Sequence, residues 1–318
     1  VVVGHGNVAL DCARMLSVTP EELRGETDVA AHAAAVLAES RIRQVVLLGR
    51  RGVAHAAFTI KELRELSKRA GATMGIVAPE DAFNAEVMKY AATERPRKRL
   101  TELMQKLAAP PLPDPPPPPP PAEPCAVRVQ FQRSPVEFLA DVAEPSRLAG
   151  VRVSCNALDG PPSASQRATP VEGSEYIIPA TLVLRSVGYR SSPMQGAPFD
   201  VARGIVPNTG GRVDGDEQLY VTGWLKRGPN GVILTNVNDA AETAKALLAD
   251  RAAGKIASGG GGGEAVREIL AHTSSAPVLG FDAWSKIDAL ELERGAAAGK
   301  VREKVVDLHE MLAVAAPR

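Results

Sequence analysis

Two short stretches hold the residues with the clearest chemical use. The first is VVVGHGNVALDCARML, Val1–Leu16, where Gly4, Gly6 and Ala9 fall at the spacing G-x-G-x-x-A. That spacing suits a pyrophosphate when it follows a buried strand and opens a helix. The first glycine turns the chain, the second admits the phosphates to the backbone, and the small third residue lets helix lie close to strand. The helix start adds free N–H groups and partial positive charge. Val1–Val3 reads as the strand and Asn7–Leu16 as the helix. Alone, the same letters also fit an ordinary tight turn.

The second stretch is the apolar strand VVLLG, which ends in Arg50 and Arg51. An acid at that place holds a ribose 2′-hydroxyl, whereas arginine accommodates a 2′-phosphate. Two guanidiniums can grip one phosphate with charge-assisted bonds. The pair therefore points to NADP rather than NAD, against the bland alternative of a solvated strand end. The spacing from Gly4 to Arg50 exceeds that of a minimal unit, and a helix predicted over Asp28–Glu39, capped by Asp28, accounts for it.

Further elements must position these groups. Phe58–Gly71 carries a capping box, Thr59 with Glu62 three residues on, and an apolar stripe at helical spacing. Arg95–Leu107 reads as a basic turn entering a helix. Ala109–Pro124 is mostly proline and reads as a solvated loop insertion. Alternating strand patterns follow, then a strand over Tyr176–Tyr189, a strand over Gln218–Trp224 and a helix in Gly231–Asp250. Gly259–Gly263 reads as a flexible joint before two short closing helices. Strands alternating with helices predict a parallel α/β, Rossmann-like fold.

Composition narrows the function. The 318 residues carry 37 basic and 37 acidic side chains, so no global field favours nucleic acid. Cys12, Cys125 and Cys155 are few and far apart, with neither a disulfide framework nor a zinc spacing. No apolar run approaches the ~18 residues that span a bilayer.

Six collinear stretches together resemble the adrenodoxin reductase family of ferredoxin–NADP reductases: GHGNVALDCAR, LLGRRGVAHAAFTIKELREL, RPRKRLTEL, VLRSVGY, LYVTGWLKRGPNGVI and AGKVREKVVD. The resemblance implies an NADP domain inserted in an FAD domain, with hydride passing from NADPH to FAD and single electrons to a [2Fe-2S] ferredoxin. It implies that His5, Gly6, Asn7 and Val8 hold the pyrophosphate beside Gly4, although the family usually has glutamine where His5 stands. Arg50 and Arg51 match the 2′-phosphate clamp, and Glu62 matches an acid near the nicotinamide side. Trp224, Gly231, Val232 and Ile233 match FAD contacts. Asp11 matches a catalytic-network aspartate near the flavin. Arg95 and Arg99 match arginines that dock the ferredoxin's acidic face.

The resemblance also implies an FAD-binding strand and glycine turn ahead of Val1, and no second G-x-G-x-x-G follows a strand in this sequence. The expected division is an NADP domain over 1–189 and the C-terminal part of an FAD domain over 190–318. A monomer, without a metal site, in the mitochondrial matrix or a bacterial cytoplasm is the expected setting. Two alternatives remain: an NADP-binding fragment without flavin or catalysis, and another NADPH-linked flavoprotein such as a glutamate synthase small subunit.

Overall fold

A computed structural model describes residues 1–25, 27–69, 71–110, 124–231, 233–256, 262–273 and 277–316. Most of the proline-rich insertion and part of the glycine joint lie outside them. The chain divides into two compact units, one of Val1–Val187 with Phe281–Arg318 and one of Gly188–Gly280.

The first unit begins with β1 (Val2–Val3), β2 (Gln44–Gly49), β3 (Ala72–Val77) and β4 (Cys125–Phe131). Next come β5 (Arg133–Ala140), β6 (Leu148–Leu158), β7 (Ala168–Pro170) and β8 (Tyr176–Pro179), and then β9 (Leu184–Arg185). Five of these form one sheet in the order β3-β4-β2-β1-β9, with every pairing parallel. The other four pair antiparallel around β6.

The two faces of β2 explain the layers. Val45 and Leu47 pack into a core with residues of α1 (Asn7–Leu16) such as Ala9 and Ala13. Val46 and Leu48 pack instead against Val151, Val153 and Ile178 of β6 and β8. A strand buried on both faces reads as a continuous apolar run. Here helices cover one face and an antiparallel sheet covers the other.

After α1 come α2 (Pro20–Gly25), α3 (Ala31–Ala38), α4 (Ile60–Leu66), α5 (Ala85–Ala91) and α6 (Arg95–Lys106). Asp28 does not cap α3, whose N-cap is Ala30. Its carboxylate instead meets Lys304 at 2.9 Å, tying α3 to the last segment. The strand expected over Tyr176–Tyr189 is two strands, β8 and β9, in different sheets. The strand expected over Gln218–Trp224 is absent among the described residues: Tyr220 makes one isolated bridge to Arg212.

The second unit holds the hairpin β10 (Asn208–Thr209) and β11 (Arg212–Val213), then α7 (Trp224–Arg227), α8 (Ile233–Ala252) and α9 (Gly262–Thr273). The buried positions of α8 are Asp239, Thr243, Ala246 and Asp250. This face is held by charge more than by apolar area. Asp250 accepts from Arg212 at 2.5 Å and from the Tyr220 hydroxyl at 2.9 Å. Two helices, α10 (Phe281–Ala297) and α11 (Leu308–Ala315), complete the first unit, where two short helices were expected after the joint and α9, α10 and α11 are found.

Gly4 is a point of close backbone approach in the first unit. Its φ is +136°, and a Cβ there would lie 2.0 Å from the Ser186 carbonyl oxygen. Both strain and overlap oppose any side chain. Gly4→Ala is expected to destabilise the chain by about 2–5 kcal/mol, as strain and overpacking each contribute. A urea melt reads this directly, and a wild-type midpoint would contradict it.

Candidate functional site

Pairing of β1 with β2 sets Val3 beside Leu48, so the glycine turn and the arginine pair leave the sheet at the same edge. The Gly4 N–H donates to the Leu48 carbonyl at 2.9 Å and fixes that alignment. Gly6 is the N-cap of α1, and a Cβ there would meet nothing within 4 Å. Open space therefore lies ahead of the free N–H groups of Asn7 and Val8, the arrangement that binds phosphate. Val8 is exposed.

Asn7 has a second task. Its Oδ1 accepts the Thr59 N–H at 2.7 Å. That N–H is the one a capping-box glutamate would take. Thr59 Oγ1 still accepts from the Glu62 N–H at 3.5 Å, so half of the expected box is present. Asn7 replaces the other half. Among the described residues no hydrogen bond or ion pair reaches the Glu62 carboxylate, which lies on the α4 turn tied to the phosphate turn.

His5 shares the turn, but its ring points inward. Nε2 lies 3.4 Å from the Leu47 carbonyl, and the ring meets Phe131 edge-on at 4.4 Å. A Cβ on Gly49 would sit 2.0 Å from His5 Nδ1, so the glycine of LLGRR makes room for the ring. Burial drives the histidine pKa down to about 4, against weaker support from the carbonyls of Leu47 and Gln130. The ring is neutral at pH 7 and engaged with the interior. The backbone of His5 is what the turn offers outward.

Arg50 is exposed and Arg51 half-buried. Among the described residues neither guanidinium has a carboxylate partner. Their backbone is held firmly: Asn156 Nδ2 donates to the Arg50 carbonyl at 2.8 Å, and the Gln132 N–H donates to the Arg51 carbonyl at 3.2 Å. Asn156 and Gln132 were not singled out by the sequence. Gln132 carries the signal only in its backbone, where φ is +54°, the left-handed region, rare for a non-glycine residue.

Asp11 lies on the exposed side of α1, ion-paired to Arg14. Arg95 and Arg99 lie one turn apart on α6, both exposed and without an acidic partner among the described residues. Arg97 and Lys98 are already engaged, with Glu94 at 2.8 Å and Glu102 at 3.9 Å. The first turn of α6 has no acid, so its cations oppose the helix dipole.

The remaining expected contacts belong to the second unit. Trp224 opens α7, is 46% exposed, and stacks on Tyr189 at 5.5 Å between centroids. Gly231 has φ +92°, two residues before the first residue of α8. Ile233 is 86% exposed, and Val232 lies outside the described residues. The turn bearing Trp224 hangs on Asp239, which accepts from the Gly223 N–H, from Thr222 at 3.2 Å, and from Lys226 at 2.9 Å. Burial works against the Lys226 charge, yet its bonds to Glu242 and Asp239 outweigh this and hold its pKa above the usual lysine value.

No model of a known protein family matches the chain. Individual proteins do. The NADPH:adrenodoxin oxidoreductase of Salvelinus fontinalis is 41% identical over 318 residues, 99% of this chain and 62% of that protein. The human protein of the same name is 42% identical over 313 residues, 98% of this chain and 62% of its own length. Among solved structures, Mycobacterium tuberculosis FprA in complex with NADPH superposes with a TM-score of 0.81 at 33% identity, covering 99% of this chain and 66% of that one. The chain belongs to the adrenodoxin reductase family.

Within that family, the chain spans about 62% of the curated relatives' length. The mixed α/β fold with its parallel sheet agrees with the FprA structure. Family members are named as mitochondrial in the fish and human cases, whereas a Mycobacterium tuberculosis relative, a probable ferredoxin/ferredoxin–NADP reductase at 35% identity, is bacterial. No helix among the described residues is long and apolar enough to cross a membrane.

The inward-facing His5 ring has a measurable consequence through its lowered pKa. Between about pH 6.5 and pH 4 the unfolded chain takes up a proton that the folded chain refuses. Stability therefore falls as pH drops through that window. His5→Gln removes this dependence. It is expected to retain about 2–3 kcal/mol that the wild type loses between pH 7 and 4.5, at 1.36 kcal/mol per unit. Urea melts of both at the two pH values read the difference, and parallel losses would contradict it.

Proposed function

We propose that the chain is the NADP-binding and flavin-facing part of an FAD-dependent NADPH:ferredoxin reductase. The observation that carries this is the arginine pair: two cations, held by their backbone, without acidic partners among the described residues, at the strand end where a 2′-phosphate belongs. The open space before α1 fits the pyrophosphate. Gly4, His5, Gly6, Asn7 and Val8 would hold it through backbone N–H groups, with Arg50 and Arg51 on the 2′-phosphate and Glu62 toward the nicotinamide. The first unit is read as the NADP domain.

The second unit is read as part of the FAD domain. Gly231, without a Cβ and at the start of α8, allows a flat ring near the backbone, and the helix start favours negative charge there. Trp224 would add an apolar wall, with Val232 and Ile233 beside it. When bound, NADPH supplies hydride and FAD converts the electron pair to single electrons. The protein's own share is to hold, orient and exclude water. Asp11 is kept as a network residue toward the flavin. Arg95 and Arg99 would meet the acidic face of the ferredoxin, steering it in a salt-dependent way. A mitochondrial matrix setting follows for a eukaryotic source.

Arg50→Ala with Arg51→Ala is expected to weaken NADPH binding by at least about 100-fold, because each of the two charge-assisted bonds lost is worth roughly 1.5–3 kcal/mol. NADH binding should change by less than about threefold, as it has no 2′-phosphate. Equal losses, read by calorimetry, would contradict the assignment. In the FAD-loaded enzyme, Arg95→Glu with Arg99→Glu should slow ferredoxin reduction at low salt and spare ferricyanide reduction. Unchanged ferredoxin kinetics would remove the docking role.

A further inference from the structure

We propose that Asn230 and Gly231 form a self-modifying site, at which the asparagine sheds its amide nitrogen as ammonia and leaves a carboxylate before α8. The chemical step needs only residues of the second unit. Its effect on a flavin rests on the reading of Gly231 given above.

The sequence narrows the choice first. The chain has seven asparagines, and only Asn230 is followed by glycine. A backbone nitrogen reaches the preceding side-chain carbon most readily where nothing crowds it, and every residue but glycine sets a Cβ beside that nitrogen. The structure narrows it again. Asn7, Asn84, Asn156, Asn208 and Asn236 have their side chains in hydrogen bonds. Asn238 lies inside α8, where the helix ladder holds the backbone. Asn230 and Gly231 are both exposed. Among the described residues, no hydrogen bond engages the Asn230 side chain or the Gly231 N–H. The Asn230 N–H donates to the Gly228 carbonyl at 2.8 Å, and Pro229 between them has its φ fixed by its ring. The turn is thus anchored on one side, and Gly231, at φ +92°, is the pivot on the other. A Cβ on Gly231 would meet Thr235 Oγ1 at 2.7 Å. The fold therefore requires the very glycine that exposes Asn230 to attack.

The step balances without an oxidant or a second substrate. The Gly231 nitrogen forms a bond to Asn230 Cγ, and the Cγ–Nδ2 bond breaks. The proton of that N–H leaves with the amide as ammonia. Water then opens the cyclic imide. Opening at Cγ gives aspartate, whereas opening at the main-chain carbonyl gives an isoaspartyl link that runs through Cβ and Cγ. Either product carries a carboxylate where the amide was neutral. The new charge lies three residues before Ile233, the first residue of α8. A helix start favours negative charge, so the carboxylate takes up the field that would favour a reduced flavin at Gly231. Like charges so placed also repel.

The test holds the 318-residue chain in mildly alkaline buffer, which helps deprotonate the attacking nitrogen, and follows its peptides by mass spectrometry. Residue 230 should gain the mass of an amide-to-acid exchange at least about tenfold faster than any other asparagine, since glycine alone leaves the nitrogen uncrowded. Asn230→Gln must close a larger ring and should show no gain over the same time. No gain at Asn230, or one no faster than at Asn236, overturns the proposal. In the FAD-loaded enzyme, N230D should lower the flavin midpoint potential and N230Q should leave it unchanged. If the mass gain is present but N230D does not move the potential, the flavin reading of Gly231 fails instead.

Discussion

Two backbone approaches that leave no room for a side chain govern this structure. At Gly4, β1 runs so close to β9 that the Ser186 carbonyl occupies the place of a Cβ. At Gly49, the His5 ring occupies it. Together they hold β1 between its neighbours and turn the chain so that α1 presents its N–H groups outward. They also bring the end of β2 alongside. The proposed binding edge is thus a consequence of strand packing: the residues that would touch a phosphate are placed by residues that cannot bear side chains.

Polar struts carry that order outward. Asn7 joins the turn to α4 through the Thr59 N–H. Asn156 and Gln132 join the antiparallel sheet to the backbone of Arg50 and Arg51. The second unit uses the same economy, with Asp239 and Asp250 of α8 gathering the turns that precede it. Such groups are costly to break singly, because each loss strands a buried partner. They fix position more than they add stability.

Much of this was legible in the sequence because local rules carry it. The run Val45–Gly49 announced a buried strand, Gly4 and Gly6 a tight turn from strand into helix, and Thr59 a cap. Failures came where tertiary contacts overrule local ones. Asp28 looks like a cap but finds Lys304, far along the chain. Tyr176–Tyr189 looks like one strand but divides between two sheets. The His5 ring is polar by type, yet Phe131 and the missing Cβ of Gly49 draw it inside. Asn156 has no local signature, since its role exists only once β6 crosses behind the arginines.

The central claim is that NADP lies along the C-terminal edge of the parallel sheet. Amide hydrogen exchange of the chain with and without NADP+ tests it most directly. The account predicts slowed exchange at Gly6–Leu10 and at Arg50–His55, with no change across the outer strand β7. Unaltered exchange at both of those segments, while NADP+ is bound, would contradict it.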